Sequence, residues 1–253
     1  MIKIVGYFLA LCIGLSLGLI GGGGAVLAVP ILIYVMGVTP KVAIATSLAV
    51  VGIVSVVGII PHWRQGNVNF KIATFFAPSA MIGAYLGAQI TKLAFITETI
   101  QLVCFGLVMV ITSVLMIRKD AKSSEGQKVV HSNYLGKWLA IPLLGLGIGI
   151  ITGFVGVGGG FMIVPALVLF GGIAMKQAIG TSLLIIAFNS VTGFIGYLDQ
   201  VNLNWDLVIS FAITASLGTL IGAYLTRFID AKNLQKGFGY FVLAVAIFVL
   251  IKR

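Results

Sequence analysis

The chain has 253 residues, of which 60% are hydrophobic and only 9% charged, and its mean hydropathy is +1.17. A water-soluble domain averages about 45–50% apolar and about 25% charged residues, and a globule of this length cannot cover so much apolar surface. Lipid is therefore the solvent for most of the chain, which excludes a cytosolic enzyme, a secreted disulfide scaffold and, despite a formal net charge of +10, a nucleic-acid binder.

Apolar segments run over 4–20, 25–36, 42–60, 72–91 and 98–117, and again over 137–152, 160–171, 177–198, 206–226 and 235–251. Lysine and arginine stand at their ends, where they set membrane topology. The first segment follows Lys3 and has the look of a secretory leader, but it has a counterpart deep in the chain and is read as part of the fold. A helix needs about 20 apolar residues to cross the hydrocarbon core. The second segment of each half has 12, which covers about 18 Å of a core about 30 Å thick. Each is expected to be a half-helix that follows a glycine-broken stretch, either as a re-entrant hairpin or as a tilted, incomplete crossing.

The chain is one pattern written twice. A shift of 135 residues aligns the halves without a gap, with 28 identities in the 77 positions of 18–94 against 153–229. Gly18, Gly21, Gly23 and Gly24 fall on Gly153, Gly156, Gly158 and Gly159, and Pro30 falls on Pro165. Lys41, Ala43, Ile44, Thr46, Ser47 and Leu48 fall on Lys176, Ala178, Ile179, Thr181, Ser182 and Leu183. Gln65, Asn67 and Asn69 fall on Gln200, Asn202 and Asn204. Identity on this scale is repetition, not shared hydrophobicity.

Charge gives the halves opposite senses. The stretch 118–137 carries Arg118, Lys119, Lys122, Lys128 and Lys137 against Asp120 and Glu125, so it is placed in the cytoplasm. Counting crossings from it puts 61–71 and 227–236 inside and 92–97 and 199–206 outside. The inside loops hold Arg64 and Lys71, or Arg227, Lys232 and Lys236, whereas an outside loop holds Asp199 and Asp206. Equivalent loops thus have opposite bias. Lys41 and Lys176 are the exception, because both connectors are basic. The expected fold is an all-α integral membrane protein of two inverted-topology repeats, each of about five apolar segments including a glycine-broken short half-helix. Its parts are a first transmembrane repeat at 1–117, a cytoplasmic linker at 118–136 and a second transmembrane repeat at 137–253. It lies multi-pass in a bacterial inner membrane, with both termini external.

The candidate site begins at Gly21-Gly22-Gly23-Gly24 and Gly156-Val157-Gly158-Gly159-Gly160. A dinucleotide fingerprint fails on context: no strand pattern precedes either run, and position 41, about 20 residues on, is a lysine rather than an acid. One reading is a hinge or close helix packing. The other is unwound chain feeding a half-helix, whose free N–H groups and dipole favour an anion. Irregular backbone at membrane depth is tolerated only where it is buried or lines a cavity. Thr46-Ser47 and Thr181-Ser182 lie one turn into long apolar segments. They either bond back to helix carbonyls or donate to a ligand held between the halves. Asn189 breaks the repeat symmetry, since Val54 is its counterpart. It either bonds a neighbouring helix or contacts substrate. Gln65 and Gln200 are read as interfacial. The expected site is therefore Gly158, Gly159 and Gly160 with Thr181 and Ser182, faced by Gly22, Gly23, Gly24, Thr46 and Ser47, with Asn189 beside them.

All six acids lie in loops or near segment ends, and His62 and His131 also fall outside the apolar runs. Cys12 and Cys104 lie within such runs and are read as small packing residues. With no nucleophile, base or metal-ligand set at matching depth, the chain is not expected to be an enzyme, and no cofactor is implied. Its expected partners are a small anionic substrate and the lipid bilayer.

A glycine-rich break, an apolar stretch with Pro30 or Pro165, and a Lys-x-Ala-x-(Ala/Gly)-Thr-Ser helix start at Lys41 and Lys176, all duplicated, resemble the TauE/SafE sulfite exporter family. The resemblance extends over nearly the whole chain. It implies an inner-membrane transporter that moves a small sulfur-containing anion, such as sulfite, sulfoacetate or another organosulfonate, by export. The alternatives are a permease or channel for another small anion, or proton-coupled uptake of a sulfur compound.

Overall fold

The computed structural model describes residues 2–91, 98–118, 134–155 and 160–251. The described residues form ten α-helices and three short 3-10 turns, with no strand among them. The first half holds α1 (Ile2–Ile20), a 3-10 turn at Gly22–Gly24, α2 (Ala25–Tyr34), α3 (Pro40–Arg64), α4 (Phe70–Ile90) and α5 (Glu98–Arg118). The second half repeats the order: α6 (Tyr134–Val155), α7 (Gly160–Leu169), α8 (Met175–Tyr197), α9 (Trp205–Leu225) and α10 (Ala231–Ile251).

Helices are what lipid demands, because a helix pairs its own backbone groups where no water is present to do so. Their ends follow local chemistry. Pro40 opens α3, at a position where its missing N–H has no intrahelical partner anyway. Asn69 and Asn204 cap α4 and α9, accepting from the N–H groups of Ile72 at 3.1 Å and Leu207 at 3.2 Å. Several helices outrun the apolar segments that mark them: α3 starts at Pro40 and α10 at Ala231. Their polar terminal residues, Lys41 and Lys232 among them, belong to helical turns at the ends of the spans.

Five helical segments are long and apolar enough to cross a membrane: α3, α5, α8 and α9 with their following turns, and α10. Helices α1, α4 and α6 have 19, 21 and 22 residues, or about 28–33 Å at 1.5 Å per residue. Helices α2 and α7 have only 10 each, or about 15 Å, half a hydrocarbon core.

The halves interlock. Helix α1 packs on α9 and α4 on α6, while α3 packs on α8 and α5 on α10. Glycines let the exchanged pairs touch backbone to backbone. Gly14 and Gly18 of α1 lie against Ala215 and Thr219, and Gly218 and Gly222 of α9 lie against Leu11 and Leu15. The same contacts recur 135 residues on, where Gly149 and Gly153 of α6 lie against Ala80 and Ala84. Within each of these pairs the helices run parallel. The repeat-equivalent helices run antiparallel: Gly52 of α3 meets Ser190 of α8, Gly58 meets Leu183 and Gly193 meets Leu48. In α5 and α10, Gly106 meets Leu250 and Gly239 meets Ile117.

This packing sorts the charges. The end of α3, the start of α4 and the start of α8 share one end of the bundle, where the Lys176 ammonium donates to the Arg227 carbonyl at 3.4 Å. Arg64, Lys71, Lys176 and Arg227 gather there, while Lys41, Asp199 and Asp206 lie at the opposite end. The outer faces are apolar: on α9, Ile209, Ile213 and Leu217 are exposed while Phe211, Ala212 and Ala215 are buried.

Candidate functional site

Each half-helix is entered through a break. After Ile20 the chain turns at Gly21, whose φ of +71° is open to glycine and strained for most other residues. It then winds through Gly22–Gly24 into α2. Gly24 lies against the backbone of Ile13 and Leu17, so the break folds back along α1. The second half-helix starts at Gly160, and the helix before it ends at Val155. Gly158 and Gly159 lie outside the described residues, as does His131.

The two breaks meet: Gly22 and Gly160 are in direct backbone contact, and neither has room for a Cβ. The start of α7 is thus set against the turn that leads into α2, although 138 positions separate the two glycines. A methyl group on Gly21 would come within 2.7 Å of the Ser182 Oγ. The first break therefore lies beside the hydroxyl pair of the other half.

The four hydroxyls are all fully buried, but they differ in their bonding. Ser182 Oγ donates to the Ile179 carbonyl at 2.8 Å, the back-bonded arrangement expected of a helical serine. Thr181 Oγ1 accepts from the Asn69 N–H at 2.9 Å and so ties α8 to the turn between α3 and α4. Thr46 Oγ1 and Ser47 Oγ have no hydrogen-bond partner among the described residues. A buried hydroxyl left unpaired costs about 1–3 kcal/mol, and the described residues supply this pair with neither a donor nor an acceptor.

Asn189 is buried on α8, and its Nδ2 donates to Thr152 Oγ1 of α6 at 3.0 Å. Its Oδ1 finds no partner among the described residues. Ser55 and Ser190, which the motif reading passes over, behave similarly: both are buried and unpartnered among the described residues. They stand 135 positions apart, so the repeat alignment itself was the signal for them. On α3, Ser47 and Ser55 are two turns apart on one face, as are Ser182 and Ser190 on α8.

His62 departs from its expected place outside the spans. Helix α3 continues to Arg64, and the imidazole is fully buried. Its Nε2 donates to the Gly18 carbonyl at 2.9 Å. Gln65 reaches inward as well, donating to the Ala223 carbonyl at 3.2 Å, whereas Gln200 bonds back to Gly196. Cys12 and Cys104 are free thiols.

Among the described residues, ten helices interlocked through glycine contacts, with spans long and apolar enough for lipid, define a multi-pass membrane protein. The model of the sulfite exporter TauE/SafE family matches residues 7–249, and the chain belongs to that family, a family of membrane transporters. It is 36% identical over 241 residues to a probable membrane transporter protein of Xylella fastidiosa, covering 94% of this chain and 91% of the relative. It is 27% identical over 271 residues to a probable membrane transporter protein of Haemophilus influenzae, covering 97% and 99%. The probable membrane transporter protein YdhB of Bacillus subtilis is 26% identical over 216 residues, covering 85% and 86%. No solved structure is significantly similar.

Proposed function

We propose that the protein is a secondary transporter that exports a small sulfur-containing anion across the bacterial cytoplasmic membrane, with residues 1–117 and 137–253 forming inverted repeats about a cytoplasmic linker. The observation that carries this reading is the meeting of the two glycine breaks at Gly22 and Gly160 among buried hydroxyls, two of them unpartnered among the described residues. Inverted-repeat transporters place their sites where broken helices meet near the midplane. The antiparallel contacts of α3 with α8 and of α5 with α10 support the inversion. The cationic end of the bundle supports a cytoplasmic position for that end.

The site is formed by Gly22, Gly23 and Gly24 with Thr46 and Ser47, and by Gly158, Gly159 and Gly160 with Thr181 and Ser182. Asn189 offers from α8 the second N–H of its amide, the first being donated to Thr152. Half-helix N-termini supply partial positive charge and the hydroxyls supply donors, without a full cation that would hold the anion too tightly. Because Gly22 and Gly160 are in contact, the two breaks separate to admit the anion. A monovalent anion leaving a cell polarised at about −150 mV gains about 3.4 kcal/mol, a gradient of roughly 300-fold. Export is thereby favoured without a coupling ion.

The test is flux. Purified protein in liposomes loaded with sulfite or sulfoacetate releases the anion when the potential favours its exit, and empty liposomes do not. Ser47→Ala removes a hydroxyl that has no partner among the described residues. Losing a hydrogen bond to a charged ligand weakens affinity by about ten- to 150-fold. Absence of flux for every sulfur anion tried overturns the substrate class, and unchanged affinity in Ser47→Ala removes that hydroxyl from the site.

A further inference from the structure

We propose that His62 is a proton-binding site built into the first helix break, and that its charge sets how readily the break opens. The inference rests on the transport reading above and adds proton linkage to it. His62 braces the end of α1: its Nε2–H donates to the Gly18 carbonyl, three residues before Gly21. Thr226 Oγ1 donates to the same oxygen at 3.2 Å. A carbonyl only accepts, so Nε2 carries the proton and Nδ1 of the neutral ring is a bare acceptor. That nitrogen is buried and has no partner among the described residues.

The other half shows what the brace requires. Position 197, the equivalent of 62, is Tyr197, whose hydroxyl donates to the carbonyls of Gly153 and Phe154 at 3.2 Å each. Gly153 is the equivalent of Gly18. Holding the last carbonyls before a break needs one donor, and a phenol supplies it. The imidazole in the first half supplies the same donor and adds a group that, once in contact with water, changes charge near neutral pH.

Protonation of Nδ1 creates a cation and a second N–H that has no acceptor among the described residues in the packed state. An uncompensated buried charge is strongly unfavourable. The proton therefore favours a state in which the break separates and Nδ1–H reaches water or the anion. Among the described residues, the elements packed around it offer no carboxylate in its place. The packed elements contribute Arg64 on α3, Lys71 at the start of α4, Lys176 at the start of α8, Cys12 on α1, and Tyr224 and Arg227 at the end of α9. Asp230, beyond them, is exposed. An anion entering at this cationic end is thus the counter-ion that a protonated His62 lacks. By linkage, each then strengthens binding of the other.

The experiment compares wild type with His62→Tyr, the residue that the second half uses in this place, and with His62→Gln. Sulfoacetate efflux from proteoliposomes is measured between pH 8.5 and 6, a range over which both of its acidic groups stay ionised. Wild-type flux rises about two- to fourfold on acidification, as expected when the opened state binds one proton with an imidazole's ordinary affinity, while His62→Tyr transports with a nearly flat profile. A flat wild-type profile overturns the proposal, as does a variant that keeps the wild-type pH dependence or one that loses flux equally at every pH. A second readout needs no transport. Ser182→Cys, beside Gly21 on a background lacking Cys12 and Cys104, reports opening of the break through its alkylation rate. Dividing the rate with His62 present by the rate in the His62→Tyr background cancels the thiol's own ionisation. A ratio that rises as pH falls supports the proposal even if no sulfur anion is carried, and a constant ratio overturns it. If neither variant folds, the wild-type flux profile decides alone.

Discussion

Replacing Gly22 by alanine puts a methyl group into the contact between the two helix breaks. The new Cβ overlaps three atoms of Gly160, its Cα, carbonyl carbon and oxygen. All three are backbone atoms, so no side-chain rotation relieves the clash and one break must move. Overpacking of a filled interior costs about 1–3 kcal/mol, and a clash with fixed backbone belongs at the upper end. For a chain of this length each kcal/mol lowers Tm by about 2–4 °C, so Gly22→Ala melts about 6–12 °C below the parent. Gly147→Ala is the control: it lies in α6, and a Cβ there meets nothing within 4 Å. Alanine in a helix interior is favoured over glycine by about 0.5–1 kcal/mol, so this variant melts at or slightly above the parent temperature. Thermal unfolding in one detergent, followed by anion efflux from proteoliposomes, measures both properties. If Gly22→Ala melts and transports like the parent, the breaks do not touch in the membrane, and the contact on which the proposed site is built is wrong.

Two further outcomes are expected. Thr181→Val leaves the Asn69 N–H without its acceptor, so it destabilises the protein by about 1–3 kcal/mol in thermal unfolding; Ser47→Ala, which removes a buried hydroxyl with no partner among the described residues, melts at or above the parent temperature, with a gain of up to about 1–3 kcal/mol. For the topology, a single cysteine at Glu125 in a background without Cys12 and Cys104 is blocked only by a membrane-permeant reagent, whereas one at Asp199 reacts with an impermeant reagent from outside; equal sidedness of cysteines at Gly66 and Val201 would refute the inversion.

Much of the candidate site is visible along the chain. Gly22 stands out because it lies in a run of four glycines inside an apolar stretch, and Thr46, Ser47, Thr181 and Ser182 because a short hydroxyl motif recurs at one offset. Ser55 and Ser190 recur in the same way, yet each is a lone serine in a long helix, which draws no attention until its burial is known. His62 was misplaced because the apolar run ends at Ile60, and hydropathy cannot tell that the helix continues through Pro61 to Arg64 and that a carbonyl of α1 receives the ring. Asn189 was marked by its broken symmetry, but its donation to Thr152 depends on how α6 lies against α8.

By itself, the sequence determined the solvent, the duplication and the bounds of most helices. These are local or one-dimensional properties: hydropathy sums over neighbouring residues, and a repeat is an offset along a line. The tertiary structure alone decided which residues of the candidate site's two walls touch. It brings Gly22 against Gly160 and Gly21 beside Ser182, pairing the first break with the second half's hydroxyls. Contacts across more than 130 positions follow from how glycine-lined helix faces close on one another, and no periodicity within a helix encodes which partner that face will meet.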